Sequence, residues 1–269
     1  MTLFDPTGKL LPFHLFCHQL RNGADPNKLW FSPPDHRNEF EVRIPLLSAV
    51  EHDEQSEVYL EALLEDGQVD LEVADFRGWT ALHLAASFGR EKCIELLLEE
   101  GADPKAVDTY GFTPLHFATT CEGIEVMRLL LDADAEVNAV NMALRTPLHE
   151  LLMVYTDNPK SLEEKVSLLL EYGADVDPQN EHGMTPLYMA ALSGFDHVVA
   201  MLLEAGADPE IKSNKGKPVD AIRQLLTHGA GPKEAALHKT IAVLRAHDFQ
   251  GRLGKVSPSD SCSTLRRAM

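Results

Sequence analysis

A chain of 269 residues with 44% hydrophobic character can bury a substantial core, and its 17 Gly and 16 Pro are ordinary punctuation rather than low complexity. Its 42 Asp and Glu against 24 Lys and Arg leave a net charge of -18, a field that repels phosphate backbones and anionic lipid and argues against nucleic acid and membrane surfaces as partners. Cys17, Cys93, Cys121 and Cys262 are scattered with no CxxC pair, which supports neither a zinc site nor a disulfide framework. The opening residues lack a basic segment followed by an apolar run, and no stretch of about 18 uncharged apolar residues occurs, so a monomeric cytoplasmic or nuclear protein is expected.

In chain order, residues 12 to 27 end in Gly23-Ala24-Asp25-Pro26-Asn27, a closing phrase that returns later, and belong to an N-terminal cap and loop over 1–39. Ile44-Pro45-Leu46-Leu47-Ser48-Ala49 and Leu63-Leu64-Glu65-Asp66-Gly67 form a degenerate unit. From Asp75 the repetition is plain. Thr80, Thr113 and Thr146 lie 33 residues apart, as do Leu82, Leu115 and Leu148, and His83, His116 and His149. Units span 75–107, 108–140 and 141–179, the last with six extra residues near 155–160. The phrase returns as Thr185-Pro186-Leu187-Tyr188 in 180–212, and loosely as Lys217-Pro218-Val219-Asp220-Ala221 in 213–249. The final segment, 250–269, sets Arg252, Lys255, Arg266 and Arg267 against Asp260; it is Ser-rich, has no apolar periodicity and is expected to be disordered, with Ser257-Pro258 a candidate phosphorylation site.

Each phrase has a local reading. A Thr before the apolar run is an N-cap, and Pro114, Pro147 and Pro186 follow it at the first helical position, where a missing N–H costs nothing. Gly89 and Gly194 stop that short helix. The second helix, with Cys93, Ile94, Leu96, Leu97 and Leu98, is apolar on too many sides for a surface helix and must lie between neighbours. Gly101, Gly173 and Gly206 close it; Asp134 stands in their place in the unit 108–140 and weakens that turn. Ser161-Leu162-Glu163-Glu164 reads as a capping box that opens the second helix after the insertion.

The pattern Asp-x-x-Gly-x-Thr-Pro-Leu-His-x-Ala, followed by Leu-Leu-Leu-x-x-Gly-Ala-Asp, resembles the ankyrin-repeat family over roughly 12 to 249. The resemblance implies an all-α solenoid of stacked helix-turn-helix units joined by β-turn or hairpin loops, with about five repeats plus a degenerate C-terminal cap over 40–249. It also implies that His83, His116 and His149 tie neighbouring repeats together through backbone contacts rather than serving metal or catalysis. Partners of such proteins are gripped by turn tips and the exposed side of the first helix, which here places a protein-binding patch on Phe76, Arg77, Trp79, Phe88, Tyr110 and Phe112. Trp79 and Phe112, each after a turn Gly, fit packing against the adjacent turn equally well. Leu130 to Asn138 resembles the ankyrin asparagine motif that is hydroxylated by an oxygen-sensing dioxygenase; ordinary turn chemistry at Asn138 is the simpler reading.

No P-loop, nucleophile elbow, HExxH or dinucleotide fingerprint occurs, so a non-enzymatic interaction module or scaffold without cofactor is expected. Two alternatives remain open. One is a regulatory subunit or inhibitor of an enzyme or transcription factor that meets a basic partner with the acidic outer positions Glu91, Glu95, Glu99, Glu100, Glu122 and Glu125. The other is a ubiquitin-ligase adaptor or biosynthetic accessory protein; the 20-residue tail is shorter than the recruitment box that such ankyrin adaptors carry.

Overall fold

The computed structural model describes residues 3–5, 7, 9–31, 42–52, 55–65, 68–153, 159–228 and 231–254. The chain divides into two compact units, 1–151 and 152–269. In the first, α1 (Phe13–Arg21) is followed by two short antiparallel strands, β1 (Trp30–Phe31) and β2 (Val42–Arg43). Helix pairs α2 (Pro45–Glu51) with α3 (Ser56–Leu64), α4 (Ala81–Phe88) with α5 (Glu91–Glu99), and α6 (Pro114–Ala118) with α7 (Glu125–Asp132) come next. The unit boundary falls inside α8 (Pro147–Met153).

First helices pack on first helices, α2 on α4 and α4 on α6, while second helices do the same from α3 to α5 to α7. This arrangement is what the all-round apolar sequence of α5 requires. Ile94 and Leu97 are fully buried, as are Leu82, Leu115, Met127 and Leu130 between the layers. Each such side chain contributes about 1.5 to 3 kcal/mol, and no single pair could bury them alone. At the N-terminal end α1 packs on α3: Phe16 meets Tyr59 edge-on at 4.9 Å, and the Tyr59 hydroxyl donates to the Leu11 carbonyl at 2.8 Å.

Thr80 and Thr113 head α4 and α6 as N-caps in capping boxes whose third position is histidine. The His83 Nδ1 accepts from the Thr80 backbone N–H at 3.2 Å, and Nε2 reaches the Phe112 carbonyl of the next turn at 3.1 Å. His116 repeats the bridge, from the Thr113 N–H at 3.0 Å to the Arg145 carbonyl at 3.1 Å. A carbonyl only accepts, so Nε2 must carry the proton and Nδ1 must be bare. Burial holds both imidazoles below their ordinary range, His116 down to about 4.

Second helices close alike. Ala102 N–H donates to the Leu97 carbonyl at 2.9 Å across Gly101 at φ 94°, and Ala135 N–H donates to the Leu130 carbonyl at 3.0 Å across Asp134 at φ 61°. Asp134 therefore adopts the left-handed conformation that the sequence assigned to it. A second such residue was not foreseen: Leu144, at φ 55°, occupies the turn position held elsewhere by Gly78 and Gly111. α6 ends after five residues, and just beyond its end the Thr119 and Thr120 hydroxyls bond back to the His116 and Phe117 carbonyls at 2.8 Å.

The second unit holds α9 (Pro159–Glu171), α10 (Pro186–Ser193), α11 (Asp196–Glu204), α12 (Pro218–Thr227) and α13 (Glu234–Gly254). α11 packs on α9 and α10, and α13 closes the unit against α10, α11 and α12. One expectation is corrected here. α9 begins at Pro159, so Ser161 lies inside the helix and cannot cap it; the fixed φ of proline suits the first helical position. α13 continues to Gly254, into the segment expected to lack structure from Gln250. The remainder, 255–269 with Ser257, lies outside the described residues, as do positions 155–158 of the insertion expected near 155–160, whose last two residues open α9.

Two outcomes follow. Because the folded His116 titrates below the unfolded value near 6.5, its stabilising effect is complete above that pH and is lost as pH falls towards about 4, a change of about 3 kcal/mol. Urea unfolding across this window should show His116→Gln with a shallower pH slope than wild type, by up to one proton. Leu144→Gly, which removes the positive-φ strain, should raise the urea midpoint by the equivalent of about 1 kcal/mol.

Candidate functional site

Between consecutive helix pairs the chain turns through a five-residue tip headed by Asp75, Asp108, Asn141, Asn180 or Ser213. The Asp108 Oδ1 accepts from the Tyr110 and Phe112 backbone N–H groups, each at 2.8 Å, and Asp75 and Asn141 organise their own turns in the same way. In the first unit each tip is tied to the next. Thr109 N–H donates to the Arg77 carbonyl and Met142 N–H to the Tyr110 carbonyl, both at 2.9 Å. Adjacent tips come so close that a Cβ on Gly78 would sit 3.0 Å from the Thr109 nitrogen.

This frame sorts the six candidate residues into two groups. Phe76 is 90% exposed, Tyr110 61% and Phe88 52%, with Phe76 and Tyr110 on neighbouring tips and Phe88 at the end of α4. Arg77 is also exposed, its guanidinium held 4.3 Å over the Trp79 ring and bonded through Nε to Asp75 at 3.1 Å. Trp79 and Phe112 are half-buried and turn inward. The Trp79 indole N–H donates to Asp108 Oδ2 at 3.1 Å, its ring packs on Phe117 at 4.6 Å, and Phe112 packs on the same Phe117 at 5.5 Å. They brace the tips from behind while Phe76 and Tyr110 stand clear of them.

Sequence reasoning passed over three exposed apolar neighbours, Val107, Val140 and Leu144, which join Met142 in extending the row. Their signal was available: each is an apolar residue within or just before a turn that carries polar or small residues in other units. The acidic outer positions occupy a different face, on and beside α5 and α7, where Lys92–Glu95 and Arg128–Glu125 form exposed ion pairs of little energetic weight. Asn138 is half-buried in a turn closed by Ala139 N–H to the Glu136 carbonyl at 3.2 Å. Among the described residues no cluster of metal-ligating side chains occurs, and no helix is long and apolar enough to cross a membrane.

Comparison with known proteins gives one consistent answer. The family model described as ankyrin repeats (3 copies) matches residues 14–108, 46–141 and 140–213. The B-cell lymphoma 3 protein homolog of Mus musculus is 38% identical over 168 residues, covering 61% of this chain and 29% of that protein. Protein phosphatase 1 regulatory subunit 27 of Homo sapiens is 38% identical over 60 residues, 22% of this chain and 39% of that protein. The mitochondrial disaggregase of Bos taurus is 34% identical over 107 residues, 39% of this chain and 14% of that protein. The chain thus spans well under half the length of each of these relatives.

The two groups of aromatics should separate in stability measurements. Trp79→Ala, which removes the Phe117 contact and the bond to Asp108, should cost about 2 to 3 kcal/mol in urea unfolding, while Phe76→Ala should stay within about 0.5 kcal/mol of wild type.

Proposed function

This chain belongs to the ankyrin-repeat family, whose repeats mediate protein–protein interaction, and from that premise we propose that it is a non-enzymatic binding module presenting the tips of its first unit to a protein partner. The observation that carries the reading is the row of exposed apolar side chains, Phe76, Tyr110 and Met142, on consecutive tips held in register by backbone hydrogen bonds. Exposed aromatics on a rigid frame lose little entropy on binding and are favoured anchors. Arg77 and Phe88 flank the row, and Trp79 and Phe112 hold the tips in position. The net charge of -18 favours a protein over a nucleic acid as the partner, and a monomer acting in the cytoplasm or nucleus fits this role.

A second reading takes the acidic residues on and beside α5 and α7 as the contact, which would make the chain a regulatory subunit for a basic partner. In its support, one relative is itself named as a phosphatase regulatory subunit. The two readings differ in salt dependence, since an acidic contact weakens steeply with ionic strength and an apolar one does not.

Affinity capture from native lysate, compared between wild type and an equally folded Phe76→Ala/Tyr110→Ala variant, tests the proposal. A protein retained by wild type at both 0.1 and about 0.5 M salt, and lost with the variant, is the expected result. Equal capture by both proteins would overturn the apolar-tip reading, and loss of capture in high salt would favour the acidic face.

A further inference from the structure

The tips of the second unit are chemically unlike those of the first. The head residue runs from Asp75 and Asp108 through Asn141 and Asn180 to Ser213, so the turn's own negative charge is gone from Asn141 onward and is absent from both tips of the second unit. Lys212, Lys215 and Lys217 stand within six residues in a chain that is otherwise strongly acidic. Lys217 is taken by Glu210, and His182 lies 3.8 Å from Glu181. The ammonium groups of Lys212 and Lys215 have no carboxylate partner among the described residues.

Beside this turn lies a cleft of about 320 Å³ lined by His182, Met184, Ser213, Asn214 and Lys215. Its origin is a difference in side-chain volume and reach. Met184 occupies the place that Trp79 and Phe112 hold in the first unit, where Trp79 spans to the head of the following turn and bonds Asp108. Methionine has no such donor, and the following head is Ser213, whose hydroxyl is spent on the Gly216 carbonyl at 3.2 Å and the Lys215 N–H at 3.0 Å. The turn itself is fixed by Asn214 N–H to the His182 carbonyl at 3.1 Å, and the Gln179 amide bonds the Gly183 and Lys212 carbonyls at 2.8 and 3.1 Å. The backbone on both sides of the cleft is thus held, while the Asn214 amide and the Lys215 ammonium are unspent donors at its wall. At this volume, near the lower end of ligand sites, it admits one side chain.

We propose that this cleft receives an oxyanionic side chain of a partner peptide, a phosphoserine phosphate or a glutamate carboxylate, with Lys215 and Asn214 as donors and Met184 packing the methylene stem. The inference rests on the protein-binding reading for its partner but uses none of the residues on which that reading depends. Both anions offer acceptor oxygens to an ammonium and an amide; the phosphate carries more charge and more acceptors, so it binds more tightly here.

The test is an amide NMR titration of the full chain with three capped amino acids, N-acetyl-phosphoserine methylamide, its glutamate counterpart and its serine counterpart. Saturable shifts confined to residues 180–184 and 213–217 are expected with the two anions and not with serine; the tighter of the two identifies the source of the oxyanion. Lys215→Met should weaken binding roughly tenfold with the remaining spectrum unchanged. Met184→Trp, which refills the cleft, should abolish it independently of charge. Unsaturable shifts, equal shifts with serine, or undiminished binding in both variants would overturn the proposal. Oxyanion binding without any captured partner would leave the cleft standing and sink the protein-binding reading; partner capture through Phe76 and Tyr110 without oxyanion binding would do the reverse.

Discussion

One imidazole in each repeat that carries the full motif sets the spacing on which the first unit depends. His83 and His116 each satisfy the cap of their own helix through Nδ1 and reach the next turn's carbonyl through Nε2. No other single side chain has an acceptor and a donor on opposite edges of a rigid ring at that separation. The bridge is polar yet buried, which demands the neutral tautomer and makes the register between repeats sensitive to protonation. Tyr188, at the equivalent position in the second unit, keeps the backbone cap to Thr185 but leaves its buried hydroxyl without a hydrogen-bond partner among the described residues.

A frame that rigid frees the tip residues to vary. In the first unit the tips carry Phe76, Tyr110 and Met142 outward and Trp79 and Phe112 inward, an arrangement suited to apolar contact. In the second, Glu181, His182, Asn214 and Lys215 replace the apolar row, and Met184 fails to fill the space behind them. The same backbone geometry thus presents two chemistries, because hydrogen bonds among main-chain groups and turn heads hold the tips whatever the outward side chains are. Strain collects where a repeat breaks its own rule: Asp134 and Leu144 take left-handed conformations that glycine adopts elsewhere, at a cost that surrounding packing must offset.

The sequence by itself determined the repeat length, the Thr caps of the first helices, the closing turns and the apolar character of the second helix, because these follow from interactions within four or five residues or from a period that repetition makes visible. Thr80, Pro114, Gly101 and even the unusual Asp134 were legible in this way. What only the tertiary structure decided were matters settled by partners about 30 residues distant. Whether an aromatic after a turn glycine faces solvent or the next repeat depends on Asp108 and Phe117 being there to meet Trp79. The cleft beside Lys215 was hidden for the same reason, whereas the start of α9 at Pro159 and the end of α6 at Ala118 are local choices, at a proline and beside hydroxyls bonded three residues back, among which the sequence names candidates without choosing.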